Sequence, residues 1–94
     1  MNQTNLFKMG QHLATPGVLA ALTTASQSPA EFISRHARGD WGDMQPEDKQ
    51  LNDLAVMDAD SRIFSGYLLK NGEKIWIITE AGRHATTILL PSEY

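Results

Sequence analysis

The chain has 94 residues, of which 41% are hydrophobic and 20% are charged, and it carries a net charge of -3. This length allows one hydrophobic core and excludes two independent domains. The absence of cysteine excludes disulfides and thiolate zinc sites, and no apolar run reaches the roughly 18 residues that a bilayer span needs. Eight scattered basic residues argue against a groove that neutralises a nucleic-acid backbone.

The opening residues, MNQTNLFKMG, contain neither a basic leader nor a continuous apolar run. A secretory signal needs both features. We therefore expect a soluble cytoplasmic protein with no membrane contact, folded as a single domain over residues 1–94.

The first half of the chain carries the start signals of two helices. Thr15 before a proline is typical of a helix start, because the hydroxyl accepts a hydrogen bond from a free amide and proline already has a helical φ. Ser28 and Glu31 form the pattern of a capping box, which predicts a second helix over 29–38. On that helix, Glu31 and Arg35 have the spacing of an ion pair.

A third helix is predicted over 46–58, where Pro46 and two acidic residues suit a first turn. Apolar residues then recur at helical spacing, so one side of this helix should pack on the core. An extra N-terminal strand could lie within residues 6–14, whose pattern is irregular. The expected core-facing residues of the third helix are Leu51, Leu54, Ala55, and Met57 or Asp58.

The last third of the chain has the alternation typical of strands joined by tight turns. Asn71-Gly72 suits a two-residue type I′ turn between RIFSGYLLK and EKIWIITE, since both residues accept positive φ. Gly82-Arg83 suits a type II′ turn before HATTILL. We therefore predict an antiparallel three-stranded meander packed against two or three short helices, which is an α+β fold.

The two-residue turns fix the predicted register of the sheet. They place Tyr67 opposite Trp76 and Ile77 opposite Ile88. Because successive side chains alternate between faces, one face becomes almost wholly apolar and is expected to lie beneath the helices. This predicted core face contains Phe64, Leu68, Ile75, Ile77, Ile88 and Leu90.

The opposite face of the predicted sheet is also rich in apolar residues. Residues 75–78 read Ile-Trp-Ile-Ile, which is unlike a strand with one solvated side. Either the N-terminal segment or a helix covers this face, or it is an exposed surface for a homodimer or a protein partner. The second interpretation predicts partner binding by Tyr67, Trp76, Ile78 and Leu89.

Residues 36–43, HARGDWGD, have two interpretations. His36, Asp40 and Asp43 carry side chains that bind divalent metals, and three ligands would leave a position for a reactive water, as in a small metal-dependent hydrolase. The alternative is a folded corner without a metal, in which His36 lies on the apolar side of its helix. That corner would use Gly39 as a helix cap, Trp41 as a core residue and Gly42 in a tight turn.

The second predicted turn brings together Glu80, Arg83 and His84. A carboxylate beside an imidazole could act as an acid and base pair, but a charged hairpin end is the simpler interpretation. The sequence has no Ser-His-Asp arrangement, nucleophile elbow or Walker glycine loop, so we expect no cofactor and favour a non-catalytic protein. A single-stranded nucleic acid would have to stack on Arg35, Arg38 and Trp41, which too few basic residues accompany.

Four segments together resemble a family of small bacterial proteins carried by plasmids, phages and integrative elements. These segments are ATPGVLAAL (14–22), RHARGDWGD (35–43), QLND (50–53) and KIWIITEAGRHATTILLPSEY (74–94). The family pattern more often has an acidic residue at the position of Gly82 and a serine at that of His84, which argues against a chemical role for His84. The resemblance implies a mobile-element origin and a cytoplasmic setting, and it implies no reaction.

The sequence as a whole favours an accessory protein of a mobile element that binds another protein or a second copy of itself. By analogy, its target could be a host factor such as a defence enzyme. The metal-dependent hydrolase at His36, Asp40 and Asp43 is the alternative from a different class.

Overall fold

The computed structural model describes residues 5–58 and 60–94 and has an α+β architecture. Residues 1–4 and Ala59 lie outside the described residues, so the prediction of one domain over the whole chain stays a prediction. Within the described part, no helix is long and apolar enough to cross a membrane. The elements are β1 (Gln11–Ala14), α1 (Pro16–Thr24), α2 (Pro29–Ala37), α3 (Pro46–Asp58), β2 (Ile63–Leu68), β3 (Lys74–Thr79), β4 (Ala85–Leu89) and a final 3-10 turn (Pro91–Glu93).

The four strands form one mixed sheet in the order β1-β4-β3-β2. Strands β2, β3 and β4 are the predicted antiparallel meander. The extra strand expected somewhere in residues 6–14 is β1, and it pairs with β4 in parallel. As a result, β1 and β2 are the two edges of the sheet.

Helices α1 and α2 pack on one side of the sheet, which we call the inner face. Removal of these apolar side chains from water is the main favourable contribution to folding. The predicted core positions in β3 and β4 are confirmed. The main apolar cluster contains Val18, Ala21, Leu22, Ala25, Phe32, Tyr67, Leu69, Ile75, Ile77 and Ile88, and a smaller one contains Phe7, Met9, Ala37, Trp41, Ala55 and Ile63.

The first hairpin has a longer loop than predicted. Gly72 donates its amide to the Leu69 carbonyl oxygen at 2.9 Å, and Leu69 donates to the Glu73 carbonyl oxygen at 2.8 Å. Gly72 has a φ of 86°, but Asn71 keeps a negative φ, so the type I′ turn does not form. The Asn71 side chain instead accepts a hydrogen bond from the Glu73 amide. The loop gains one residue, and the register shifts by one.

The shifted register exchanges the two faces of β2. Tyr67 lies opposite Ile75 and not opposite Trp76. Its side chain therefore points to the inner face, where it is 1% exposed. Leu69 follows it into the core. The predicted core residues that lie instead on the opposite side of the sheet, which we call the outer face, are Phe64 and Leu68.

The second hairpin keeps the predicted register with a different turn. Strand β3 pairs with β4 as expected. The type II′ prediction is wrong, because Arg83 and not Gly82 has the positive φ, which is 59°. The Glu80 amide donates to the Ala85 carbonyl oxygen and closes the loop over residues 81–84.

The two predicted helix caps have different outcomes. Thr15 caps α1 as predicted, with its hydroxyl accepting from the Val18 amide at 3.3 Å. Ser28 makes no side-chain cap on α2, so the capping-box prediction is wrong. The carboxylate of Glu31 accepts instead from the side chain of Gln27 at 3.1 Å.

The outward edge of β2 is closed by two neighbouring segments. Gly66 donates its amide to the Trp41 carbonyl oxygen at 3.1 Å and accepts from the Asp43 amide at 2.6 Å. The Asn52 side chain donates to the Phe64 carbonyl oxygen at 2.6 Å and accepts from the Phe64 amide at 3.1 Å. These four bonds satisfy polar groups that an open edge would leave unpaired.

Two glycines test how much the closure of this edge contributes to stability. Gly42 and Gly72 have φ values of 74° and 86°, but a Cβ at Gly42 would overlap the carbonyl oxygen of Gly66, whereas nothing lies within 4 Å of a Cβ at Gly72. Gly72→Ala should cost about 1 to 2 kcal/mol from backbone strain alone. Gly42→Ala should cost at least about 2 kcal/mol more, because it also disrupts the edge bonds. Urea unfolding measures both, and an equal loss would contradict the closure.

Candidate functional site

The HARGDWGD segment is folded around Asp40. Arg35 Nε donates to Asp40 Oδ2 at 2.7 Å, so Arg35 pairs with Asp40 and not with Glu31 as predicted. The Gly42 amide donates to Asp40 Oδ1 at 3.2 Å, and the Tyr67 hydroxyl donates to the Asp40 carbonyl oxygen at 2.7 Å. The hydrogen bond between Arg35 and Asp40 lowers the pKa of the carboxyl and raises that of the guanidinium. Burial raises the pKa of Tyr67 to about 12.

The residues expected to build a corner do so. Gly39 ends α2 with a φ of 84° and donates its amide to the His36 carbonyl oxygen at 3.1 Å. Trp41 is buried, and its indole Nε1 donates to Asp53 Oδ1 at 2.9 Å. Gly42 takes a φ of 74°, which turns the chain toward β2. The segment thus connects α2 to the sheet edge.

A buried chain of hydrogen bonds runs through His36, and its direction fixes the proton positions. The Thr86 hydroxyl donates to the Met9 carbonyl oxygen at 2.6 Å, so it must accept from the Thr79 hydroxyl, 2.7 Å away. Thr79 then accepts from Nε2–H of His36 at 2.9 Å. Nδ1 of the neutral ring is left to accept from the hydroxyl of Ser65. Five groups are satisfied in one consistent direction.

This chain of hydrogen bonds does not reach solvent. His36, Ser65 and Thr79 have no exposed surface, and the ring of Phe7 packs edge-on against the imidazole at 5.3 Å. Burial lowers the pKa of His36 to about 3, because the charged ring would lose its hydration. A serine beside a histidine resembles a nucleophile with its base, but no substrate can approach this pair. Its role is structural.

The three side chains of the alternative metal site, His36, Asp40 and Asp43, are not assembled into a site. Both ring nitrogens of His36 are hydrogen-bonded in the core, Asp40 is paired with Arg35, and Asp43 lies 3.5 Å from the Lys74 ammonium. Within residues 5–58 and 60–94, no group of three histidine or carboxylate side chains is arranged to hold an ion. The hydrolase interpretation loses the site on which it depended.

The buried neutral His36 makes stability depend on pH. Its pKa is about 3 in the folded protein and 6.5 in an ordinary setting, so between these values the unfolded chain binds the additional proton. The free energy of unfolding should therefore fall by up to about 1.4 kcal/mol per pH unit as the pH drops below 6.5. Urea unfolding between pH 7 and pH 5 measures this slope, and its loss in His36→Gln would assign it.

His84 provides the matched control, because it is exposed. We expect His84→Gln to keep the slope of the original protein. An NMR titration of the His36 ring should show no protonation near neutral pH, which tests the account even if His36→Gln folds poorly. A His36 resonance that titrates near pH 6.5 would contradict the buried neutral ring.

Arg83 at the second turn is a structural residue. Its guanidinium donates to the carbonyl oxygens of Ser61 at 2.7 Å and of Ala55 at 2.9 Å, and also to that of Glu80 at 3.0 Å. Ala55 lies near the C-terminal end of α3, where helix carbonyls attract cations. Arg83, which was considered with Glu80 and His84 as an acid and base cluster, therefore ties the β3–β4 hairpin to α3.

The three residues considered for single-stranded nucleic acid do not form an open stacking surface. Trp41 is 4% exposed. Arg35 lies over the Tyr67 ring at 4.6 Å, and Arg38 donates to the Ser34 hydroxyl at 2.6 Å. Each of these side chains makes its contacts within the corner. That nucleic acid is not a partner stays a prediction from the sequence.

The outer face of the sheet is only partly covered. Ile78 and Leu89 are buried there, whereas Trp76 is half-buried between the rings of Phe64 at 4.8 Å and Tyr94 at 5.8 Å. Tyr94, which follows the final turn, supplies part of this cover. Of the four predicted partner-binding residues, three lie together on the outer face, and Tyr67 is the exception in the core.

A groove of about 740 Å³ lies between α3 and the outer face. We call it the α3 groove. Phe64 and Trp76 line it on the sheet side, and Leu51 and Leu54 line it on the helix side. These leucines are 62% and 59% exposed, and Met57 on the next turn is 84% exposed. Apolar side chains this exposed, side by side on one helix, are typical of an interaction surface.

Helix α3 is rotated from the orientation that its apolar pattern predicts. Asn52 and Ala55 face the sheet, and the predicted core residues Leu51, Leu54 and Met57 face solvent. The reason is the β2 edge, because an apolar stripe against it would leave the amide and carbonyl of a strand residue unpaired. Only a side chain such as Asn52, with both a donor and an acceptor, matches that edge.

Charged side chains border the α3 groove. Asp48 and Asp58 line it from the helix, and the ion pair of Asp43 with Lys74 lies beside them. Arg62 lines it too, with its guanidinium 5.6 Å from the Phe64 ring, and donates to the Tyr94 hydroxyl. The groove therefore combines an apolar floor with a polar rim, as protein interfaces do.

Comparison of the chain with protein-family models, with curated proteins and with solved structures found no match. The resemblance to proteins of plasmids and phages therefore stays a hypothesis.

Proposed function

We propose that this protein is a non-catalytic binding module whose α3 groove takes an apolar segment of another protein. The observation that supports the proposal is the exposed stripe of Leu51, Leu54 and Met57 beside the half-buried ring of Trp76. Keeping three large apolar side chains in water gives no benefit to folding. Burial of these side chains against a partner would supply the favourable free energy of removing apolar surface from water.

The partner segment is an amphipathic helix with basic residues beside its apolar stripe. Leu51, Leu54 and Met57 are spaced three apart along α3, so neighbouring members lie next to each other on its exposed side. A helix laid along such an apolar side is a common way of recognising a partner. The charges on α3 are mainly negative. The helix has one basic residue, Lys49, and four acidic residues: Glu47, Asp48, Asp53 and Asp58.

The setting of this interaction is a mobile genetic element. The resemblance of four segments to proteins of plasmids and phages supports that setting, and a host protein is the corresponding partner. The partner surface proposed from the sequence is retained at Trp76, with Ile78 and Leu89 beside it on the outer face, but without Tyr67. A cytoplasmic location belongs to the same proposal.

Selection from a random peptide library displayed on phage tests this function. We expect enriched peptides to carry apolar residues at helical spacing and several lysines or arginines. Combined Leu51→Ser and Leu54→Ser substitution should weaken their binding at least about 30-fold, the effect of losing a contact of about 2 kcal/mol. Both leucines are exposed, so the fold should survive, as circular dichroism can verify.

Leu19→Ser is the matched control, because Leu19 is 45% exposed on α1. It should leave peptide binding unchanged. Equal weakening by the control, or enrichment of acidic peptides, would contradict the proposed groove.

A further inference from the structure

Strand β1 forms the second edge of the sheet, and only one of its sides is paired. The Gln11 amide donates to the His84 carbonyl oxygen at 2.9 Å, and the Thr15 amide donates to the Ile88 carbonyl oxygen at 3.1 Å. In a parallel pair, alternate residues bond to the neighbouring strand. Odd-numbered residues of β1 therefore bond to β4.

The even-numbered residues of β1 direct their backbone groups away from the sheet. By the same alternation, the amides and carbonyls of His12 and Ala14 point away from β4, and among the described residues they form no backbone hydrogen bond to a loop, turn or helix. All four residues of β1 are exposed, so solvent and another chain can reach this edge. Such an edge is a template for pairing with a further strand.

The two edges of the sheet differ in whether another part of the chain pairs with them. The β2 edge is closed by Asn52 and by the segment around Gly42. Strand β1 reads Gln-His-Leu-Ala, without the lysine, carboxylate or proline that commonly prevents pairing at an edge. Because this edge carries no lysine or carboxylate, a second copy can approach it without repulsion between such charges.

We propose that two copies of this protein pair through β1 in antiparallel orientation, with a two-fold axis at Leu13. His12 of one copy then lies opposite Ala14 of the other, and the two pairs satisfy all the outward amides and carbonyls. Leu13 meets Leu13 of the second copy as a non-hydrogen-bonded pair, with Cα atoms about 4.5 Å apart. Leu13 is 42% exposed in one copy and gains an apolar neighbour.

The paired edges join two four-stranded sheets into one continuous sheet of eight strands. A two-fold axis normal to the sheet keeps both outer faces on the same side. The α3 grooves then lie at the two far ends, so the dimer presents two copies of the site. The short strand buries little area, which makes the dimer reversible and dependent on concentration. The pairing itself does not rest on the proposed function of the groove.

A single introduced cysteine tests the pairing directly, because the chain contains none. A Cα separation of about 4.5 Å falls within the range that a disulfide spans. Under mild oxidation, Leu13→Cys should form a covalent dimer at least about tenfold faster than Leu19→Cys, since pairing raises the effective thiol concentration. Equal rates for the two variants would overturn the proposal.

Charge substitution at the same position distinguishes a second copy from a different partner strand. Sedimentation of the unmodified protein should show a dimer fraction that rises between micromolar and millimolar concentration. Leu13→Lys and Leu13→Glu should each be monomeric, and an equal mixture of them should restore the dimer. A protein that stays monomeric throughout, or a mixture that does not associate, would overturn the two-fold pairing at Leu13.

Discussion

The closed edge of β2 is the constraint on which the rest of the structure depends. A strand edge next to a helix needs hydrogen-bonding partners, and this chain supplies them from Asn52 and from the backbone around Gly42. The HARGDWGD corner brings that backbone alongside Gly66. Hydrogen bonds to Asp40 hold the turn, and Trp41 is buried in the core. The need to hydrogen-bond the backbone groups of the β2 edge therefore decides the path of residues 40–58.

The orientation of α3 follows from this constraint and creates the candidate site. With Asn52 turned to the strand, Leu51 and Leu54 face solvent above Phe64 and Trp76. The buried hydrogen bonds of His36 hold α2 against the sheet on the inner face, away from the groove. The histidine and aspartate side chains of the corner are thus used for structure, and the exposed side of α3 carries Leu51, Leu54 and Met57.

Sequence reasoning recovered the elements whose signals are local. The helix starts follow from a proline at the first helical position, at Pro16, Pro29 and Pro46. The meander and the pairing of β3 with β4 follow from the alternation of apolar residues. The predictions from sequence were wrong where tertiary contacts determine a loop length or the orientation of a helix. Asn71-Gly72 allows two loops that differ by one residue, and the longer one moved Tyr67 into the core. The apolar pattern of α3 placed its leucines inside, because nothing local reveals that Asn52 is needed at a strand edge.

We propose that the α3 groove accepts a basic amphipathic helix. An NMR titration tests it most directly, with a helical peptide carrying leucines at helical spacing and flanking lysines, and a counterpart with glutamate at the flanking positions. If the α3 groove binds such a helix, the lysine peptide shifts the amides of residues 51–58 and the indole of Trp76, and the glutamate peptide does not. Equal shifts with both peptides, or shifts confined to another surface, would contradict it.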